Sequence, residues 1–268
     1  MSRVAFVKMA GAGNDFILAD NRKGLIRGLP QTARKLCDRK HSIGADGLIL
    51  LERSKSADIR MRILNPDGSE AEMCGNGVRC LARFAVDLKA VKARHTIETL
   101  AGLIRADVRG EVVKARMVEP KGLTLGIPLR VGGKKEVLNF IDTGVPHAVK
   151  VLSSVASCDV DGSGRVIRFH RYFAPRGTNV NFIALKSGNA IEIRTYERGV
   201  EAETLACGTG SVAGALVAAS LKGLKSPVRV RTRGGEVLNI YFAKKNGAFT
   251  DVYLEGGVEK CFEGRVDL

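Results

Sequence analysis

Apolar and polar residues alternate over short stretches through much of the chain, the period-two pattern of strands laid against a core. Val4 to Met9 and Phe16 to Asp20 read as two strands joined by the glycine-rich break Ala10-Gly11-Ala12-Gly13-Asn14-Asp15. Gly47 to Leu51 reads as a buried strand, and Asp58 to Leu64 places Ile59, Met61 and Ile63 on one face before the turn Asn65-Pro66-Asp67-Gly68. Helical spacing shows in three places. Thr32 to Arg39 predicts a short helix; Val78, Leu81, Ala82, Ala85 and Val86 predict a second, with Lys89 and Lys92 suited to its C-terminal end. Val212 to Ala219 is almost continuously apolar, which predicts a third helix buried on most sides.

The second and third helices open on one phrase. Cys74-Gly75-Asn76-Gly77 precedes the former and Cys207-Gly208-Thr209-Gly210 the latter, about half the chain apart. Each helix is followed by a stretch patterned as a β-hairpin, Thr96 to Ile104 and Val228 to Leu238. Phe140 to His147, a strand running into a glycine turn, echoes the start of the chain. The pattern predicts an α+β protein of two halves from an internal duplication, 1–122 and 123–268, each with one helix packed on a curved sheet and with the linker between Glu119 and Gly133.

The duplicated phrase also carries the chemistry. A cysteine at a helix start lies beside unpaired backbone N–H groups, which favour the thiolate. Glycines beside it let a ligand approach the backbone, whose amides then bind an anion such as a carboxylate. Two such thiols facing each other across a cleft would suit removal of a proton from one face of a carbon and delivery to the other. Amides on the adjacent carboxylate would stabilise the charge that develops. Glu197-Arg198, just before the second phrase, offers a guanidinium fork for a second carboxylate. His147 is a candidate polar contact. The other cysteines, Cys37, Cys80, Cys158 and Cys261, read as small core residues.

Composition narrows the alternatives. Six widely spaced cysteines with no Cys-Xaa-Xaa-Cys pair disfavour a secreted disulfide scaffold, structural zinc and a thiol–disulfide exchange protein. No apolar run has the roughly 20 residues that span a bilayer, and no signal-type core opens the chain, so the expected location is the cytoplasm. A formal charge of +15 raises nucleic-acid binding as a reading from a different class. The basic residues are scattered, however, and aromatics are sparse, which disfavours it. The sequence permits a homodimer without specifying one.

Several longer motifs resemble the diaminopimelate epimerases, a branch of the cofactor-independent two-cysteine racemases. They are Gly11-Ala12-Gly13-Asn14-Asp15-Phe16, Ile43-Gly44-Ala45-Asp46-Gly47-Leu48, Asn65 through Cys80, Gly177-Thr178-Asn179-Val180-Asn181-Phe182, and Tyr196 through Gly210. The resemblance covers nearly the whole chain. It implies two pseudo-symmetric α+β domains, each a barrel-like, mostly antiparallel sheet around a central helix, with a strand near 259–268 returning to the first domain. It implies interconversion of LL- and meso-2,6-diaminopimelate, a diamino dicarboxylic acid used for lysine and peptidoglycan precursors, without pyridoxal phosphate, other cofactor or metal. Cys74 and Cys207 match the acid/base pair. Gly75, Asn76, Gly208 and Thr209 match the segments that hold the reacting carboxylate, and Asn14, Asn65, Asn179, Glu197 and Arg198 those that hold the distal end. One departure is the family's Gly-Asn-Pro-His loop, here Gly144-Val145-Pro146-His147, which lacks an amide. A related racemase with another amino-acid substrate is the nearest alternative.

Overall fold

The computed structural model describes residues 3–268. The chain packs as two units, one running to Arg116 and resuming at Gly256–Leu268, the other Met117–Glu255.

The first unit contains strands β1 (Arg3–Gly11), β2 (Asn14–Asp20), β3 (Gly47–Glu52), β4 (Ile59–Leu64), β5 (Glu70–Ala71), β6 (Arg94–Thr99), β7 (Gly102–Arg109) and β8 (Val112–Arg116). Helix α1 (Leu29–Cys37) lies between β2 and β3, and α2 (Gly75–Asp87) between β5 and β6. β1 pairs antiparallel with β2 and with the returning strand Glu259–Asp267. β2 runs parallel to β3, β3 antiparallel to β4, and β4 parallel to β6, after which β6, β7 and β8 form an antiparallel meander.

Helix α2 touches β1, β2, β3, β4, β7 and β8, so the sheet curls around it. Val78, Leu81, Ala82 and Ala85 meet Ile49, Met61, Ile63, Ile97 and Ile104 in one apolar cluster. Gly77 is small for a packing reason, because a Cβ there would come within 2.9 Å of Ile49 Cδ1. Helix α1 covers the other face of β2 and β3 with Ala33, Leu36 and Cys37 against Ile17, Leu48 and Leu50. Burial on both faces explains why Leu48 to Leu51 is apolar without alternation.

The second unit contains β9 (Lys121–Val131), β10 (Lys134–Asp142), β11 (Pro146–Leu152), β12 (Asn179–Lys186), β13 (Ala190–Glu197), β14 (Ala202–Thr204), β15 (Val228–Arg231), β16 (Val237–Lys245) and β17 (Ala248–Gly257). Helix α3 (Val160–Arg168) lies between β11 and β12, and α4 (Gly208–Lys222) between β14 and β15. Helix α4 is enclosed by β10, β11, β12, β13, β15 and β16. Val212, Leu216 and Val217 are fully buried, each worth about 1.5–3 kcal/mol relative to exposure.

The two units share one topology. In each, an antiparallel pair leads through a helix to a parallel neighbour, then an antiparallel strand, a short pairing, the central helix, a second parallel pairing and a meander. They differ in the source of the flanking strand. β9 precedes β10 directly in the second unit, whereas the strand flanking β1 comes from beyond the whole of the second unit. The fold is α+β and internally duplicated. Among the described residues no helix is long and apolar enough to cross a membrane.

Three local readings need correction. Helix α1 begins at Leu29, not Thr32, because Gly28 turns the chain at φ 57° and a proline occupies the first helical turn. Residues 119–133 hold β9, not a linker: the strand pairs with β10 from Val131↔Lys134 to Lys121↔Asp142, and its largely exposed side chains leave little alternation to read. Helix α2 ends at Asp87, so Lys89, at φ 56°, lies just past its end and Lys92 farther on.

Candidate active site

In both units the thiol occupies the N-cap of the central helix. Cys74 has φ −135° and ψ 122°, and Cys207 has φ −125° and ψ 115°. The extended backbone lets each carbonyl accept the first helical bond, from Val78 at 2.8 Å and from Ser211 at 2.9 Å. The Cys74 Sγ accepts the Gly77 N–H at 3.5 Å. At the other site Sγ of Cys207 lies 3.5 Å from Thr209 Oγ1. Cys74 is half-buried and Cys207 is only 6% exposed, so the second sulfur is well shielded from water.

Around Cys74 the polar side chains form a relay. Arg79, fully buried, donates from Nη2 to Asn76 Oδ1 at 2.7 Å. That fixes the orientation of the Asn76 amide, whose Nδ2 donates to Asn14 Oδ1 at 2.8 Å and to Ala12 O at 3.3 Å. Asn14 in turn donates from Nδ2 to Asp46 Oδ2 at 2.9 Å. Asp15 ties the same loop to Lys8 at 2.8 Å and to Arg39 at 2.6 Å. Burial raises the Asp15 carboxyl, but the hydrogen bonds and charges of Arg39 and Lys8 outweigh it and bring it to about 2. Gly75 is buried in the first turn of α2. Asn65 stands outside this relay, closing its own turn through Ser69 Oγ at 3.0 Å.

Around Cys207 the supports come from β11, β12 and β13. Thr143, fully buried, donates from Oγ1 to Thr209 O at 3.1 Å. Asn181 donates from Nδ2 to His147 Nδ1 at 3.0 Å and to Ala148 O at 3.1 Å, and accepts from Thr195 Oγ1 at 3.0 Å. Gly210 rides directly on this amide, since a Cβ there would overlap Asn181 Oδ1. Gly208 is buried at the start of α4.

Asn179 links this region to the Glu197–Arg198 turn. Its Nδ2 donates to Pro146 O at 3.2 Å, and its Oδ1 accepts the Arg198 N–H at 2.8 Å. Glu197 ends β13, paired with Ala202. The Arg198 guanidinium donates to a carbonyl, Arg176 O, at 3.1 Å. Burial, and then repulsion from Arg168 and Arg176, lower its pKa. An arginine does not shed its proton, so the guanidinium stays charged in this setting.

The structure thus gathers Cys74, Gly75, Asn76 and Asn14 in one unit, and Cys207, Gly208, Thr209, His147, Asn179, Glu197 and Arg198 in the other. Sequence reasoning missed Arg79, Thr143, Asn181 and Thr195. Asn181 was within reach, because it lies two residues from Asn179 on the same face of a strand.

The sheet-wrapped helix is shared with solved structures of low identity. A phenazine biosynthesis protein of the PhzF family from Bacillus anthracis superposes with a TM-score of 0.80 at 17% identity, covering 100% of both chains. A probable proline racemase from Agrobacterium radiobacter K84, with bound carbonate, gives 0.73 at 18% identity over 99% of this chain and 93% of that one. These likenesses define the fold alone, one that a PhzF-family protein and a probable proline racemase share. Sequence comparison is more specific. The family model described as diaminopimelate epimerase matches residues 6–121 and 139–259. The diaminopimelate epimerase of Aquifex aeolicus is 45% identical, with 97% of each chain covered. That of Chlorobaculum tepidum is 42% identical, over 97% of this chain and 100% of the other. The chain belongs to the diaminopimelate epimerase family.

Proposed function

We propose that the protein interconverts LL- and meso-2,6-diaminopimelate by proton exchange at one α-carbon. The observation that carries this reading is the pair of matching N-cap thiols, Cys74 and Cys207, at equivalent places in two halves of one topology. One sulfur, as thiolate, takes the α-proton, and the other, as thiol, gives a proton to the opposite face. The roles exchange in the reverse direction.

The α-proton of an amino acid is weakly acidic, so its removal needs the developing charge on the carboxylate to be stabilised. Backbone amides at the first turns of α2 and α4, at Gly75, Asn76, Gly208 and Thr209, suit that task, because helix N-termini offer unpaired N–H groups to an anion. Every factor of ten in rate needs about 1.4 kcal/mol. The distal amino-acid end goes to Asn14, Asn65, Asn179, Glu197 and Arg198. Arg198 supplies the charge for the distal carboxylate, and Glu197 an acceptor for the distal ammonium. His147 adds a donor: its Nε2 is buried and has no hydrogen-bond partner among the described residues. The chemistry asks nothing of a cofactor.

Thiolate chemistry needs a reducing compartment, which supports a cytoplasmic location. A homodimer belongs to the same proposal. Strand Glu259–Asp267 is exposed along most of its length, the kind of edge that pairs with a second copy, and sedimentation of the purified chain decides it.

Incubation with LL-diaminopimelate in heavy water tests the activity. The expected result is formation of the meso isomer with deuterium at the inverted carbon. Cys74→Ala and Cys207→Ala should each lose that activity by at least about 100-fold while keeping the native circular dichroism. Full turnover in either variant would refute the two-base scheme.

A further inference from the structure

The turn between β13 and β14 carries Glu197 and Arg198, and the residue that shapes it is Glu201. Glu201 sits at φ 58°, a conformation that costs an L side chain roughly 1 kcal/mol or more. Its backbone N–H donates to Glu197 O at 2.8 Å. Its carboxylate folds back over the turn: Oε1 accepts the Gly199 N–H at 3.0 Å and Arg168 Nε at 3.2 Å, and Oε2 accepts the Tyr196 hydroxyl at 3.2 Å. One carboxylate therefore grips the residue before Glu197 and the residue after Arg198.

Arg168 extends the grip. Its side chain is 14% exposed and lies 3.1 Å from the Glu201 carboxylate. It passes beneath Gly177, at φ 64°, where any Cβ would overlap the guanidinium. The segment it braces there holds Arg176 and Asn179, the two residues whose oxygens receive the Arg198 guanidinium and backbone N–H. The Glu201 carboxyl is held below its ordinary range: burial pushes it up, and the Gly199 N–H and the Arg168 charge outweigh that.

We propose that Glu201 is a positioning residue for substrate recognition, latching the Glu197–Arg198 turn with Arg168 so that Arg198 meets the distal carboxylate ready-aimed. The inference rests on the reading of Arg198 given above. Among the described residues Glu201 bonds to Tyr196, Glu197, Gly199 and Arg168 and to neither thiol turn, so its loss disturbs aim at the distal end while proton transfer at the thiols continues. A turn freed from the latch samples other conformations, and the substrate must then select the competent one, which raises the concentration it needs.

The test compares wild type with Glu201→Gln and Glu201→Gly. Gln keeps the shape and loses the charge. Gly loses the latch but relaxes the left-handed backbone, which offsets part of the stability lost with those bonds. Both variants are expected to raise the KM for diaminopimelate about tenfold, equivalent to about 1.4 kcal/mol, with kcat within about twofold. Amide exchange at Gly199 is expected to quicken in both. A KM unchanged in both variants, or a kcat that falls at constant KM, overturns the latch. If the wild type fails to turn over diaminopimelate, the proposed function is what falls, and the exchange rate at Gly199 then judges the latch: an unaltered rate in Glu201→Gln rejects it.

Discussion

Asn181 donates to Nδ1 of His147, and this single bond settles where the imidazole carries its proton. The amide orientation is fixed independently, since the same Nδ2 donates to Ala148 O, which can only accept, and Oδ1 receives Thr195 Oγ1. Nδ1 is therefore the acceptor, and the neutral ring bears its proton on Nε2.

Burial, and then the nearby Arg198 charge, push the His147 pKa from 6.5 down to about 3. The unfolded chain accepts a proton that the folded protein refuses. The stability at stake is complete above about pH 6.5, falls by about 1.4 kcal/mol for each pH unit below it, and levels off near pH 3. His147→Gln, which cannot be protonated, is expected to show a shallower loss between about pH 6.5 and pH 4. Urea titrations of both proteins across that window give the slopes, and parallel slopes contradict the assignment.

Gly210 marks how closely α4 approaches β12. Gly210→Ala would drive a methyl into Asn181 Oδ1 and crowd the Cys207 side chain. We expect a loss of about 1–3 kcal/mol and activity reduced by more than tenfold, since Asn181 also orients His147. Gly257→Ala is the matched control, because among the described residues no atom beyond its chain neighbours lies within 4 Å of the methyl it would add. Its stability should stay within about 0.5 kcal/mol of wild type. Chemical denaturation of the pair reports the difference.

Asn76 is the middle of the relay from Arg79 to Asp46. Asn76→Ala removes the acceptor of a charge-assisted bond to a fully buried guanidinium, at a cost of about 1.5–3 kcal/mol. It also releases Asn14, so the KM for diaminopimelate should rise together with the loss of stability. Asn65→Ala, which among the described residues breaks a single side-chain bond, to Ser69 Oγ, should raise KM with little change in the unfolding midpoint. Parallel thermal melts and saturation kinetics separate the two.

The helix starts at Cys74 and Cys207 were legible because the repeated phrase fixes both the cap and the glycines that follow. Helix α3 was not predicted, although its signals are present: Asp159 caps it by accepting the Gly162 N–H, Asp161 lies in the first turn, and Arg165 and Arg168 lie in the last. Two glycines dilute its helix propensity. Gly164 is there for tertiary packing, with Tyr196 Cβ 2.5 Å from where a methyl would stand, and no local pattern announces that. Strand β9 escaped notice because most of its side chains are exposed. At the site, the thiols and the Glu197–Arg198 pair stood out through type and spacing. Asn181, Thr143 and Arg168 act through partners roughly fifteen or more positions away, and such partnerships exist only once the strands are registered.

The exchange of flanking strands sets an order of assembly on the ribosome. Every strand of Met117–Glu255 is synthesised as one continuous run, so that unit can close while the chain is still growing. β1 must wait for Glu259–Asp267 to emerge after it. Until then that edge of β1 has no strand to pair with, so the sheet of the half that carries Cys74 is completed last although it is begun first.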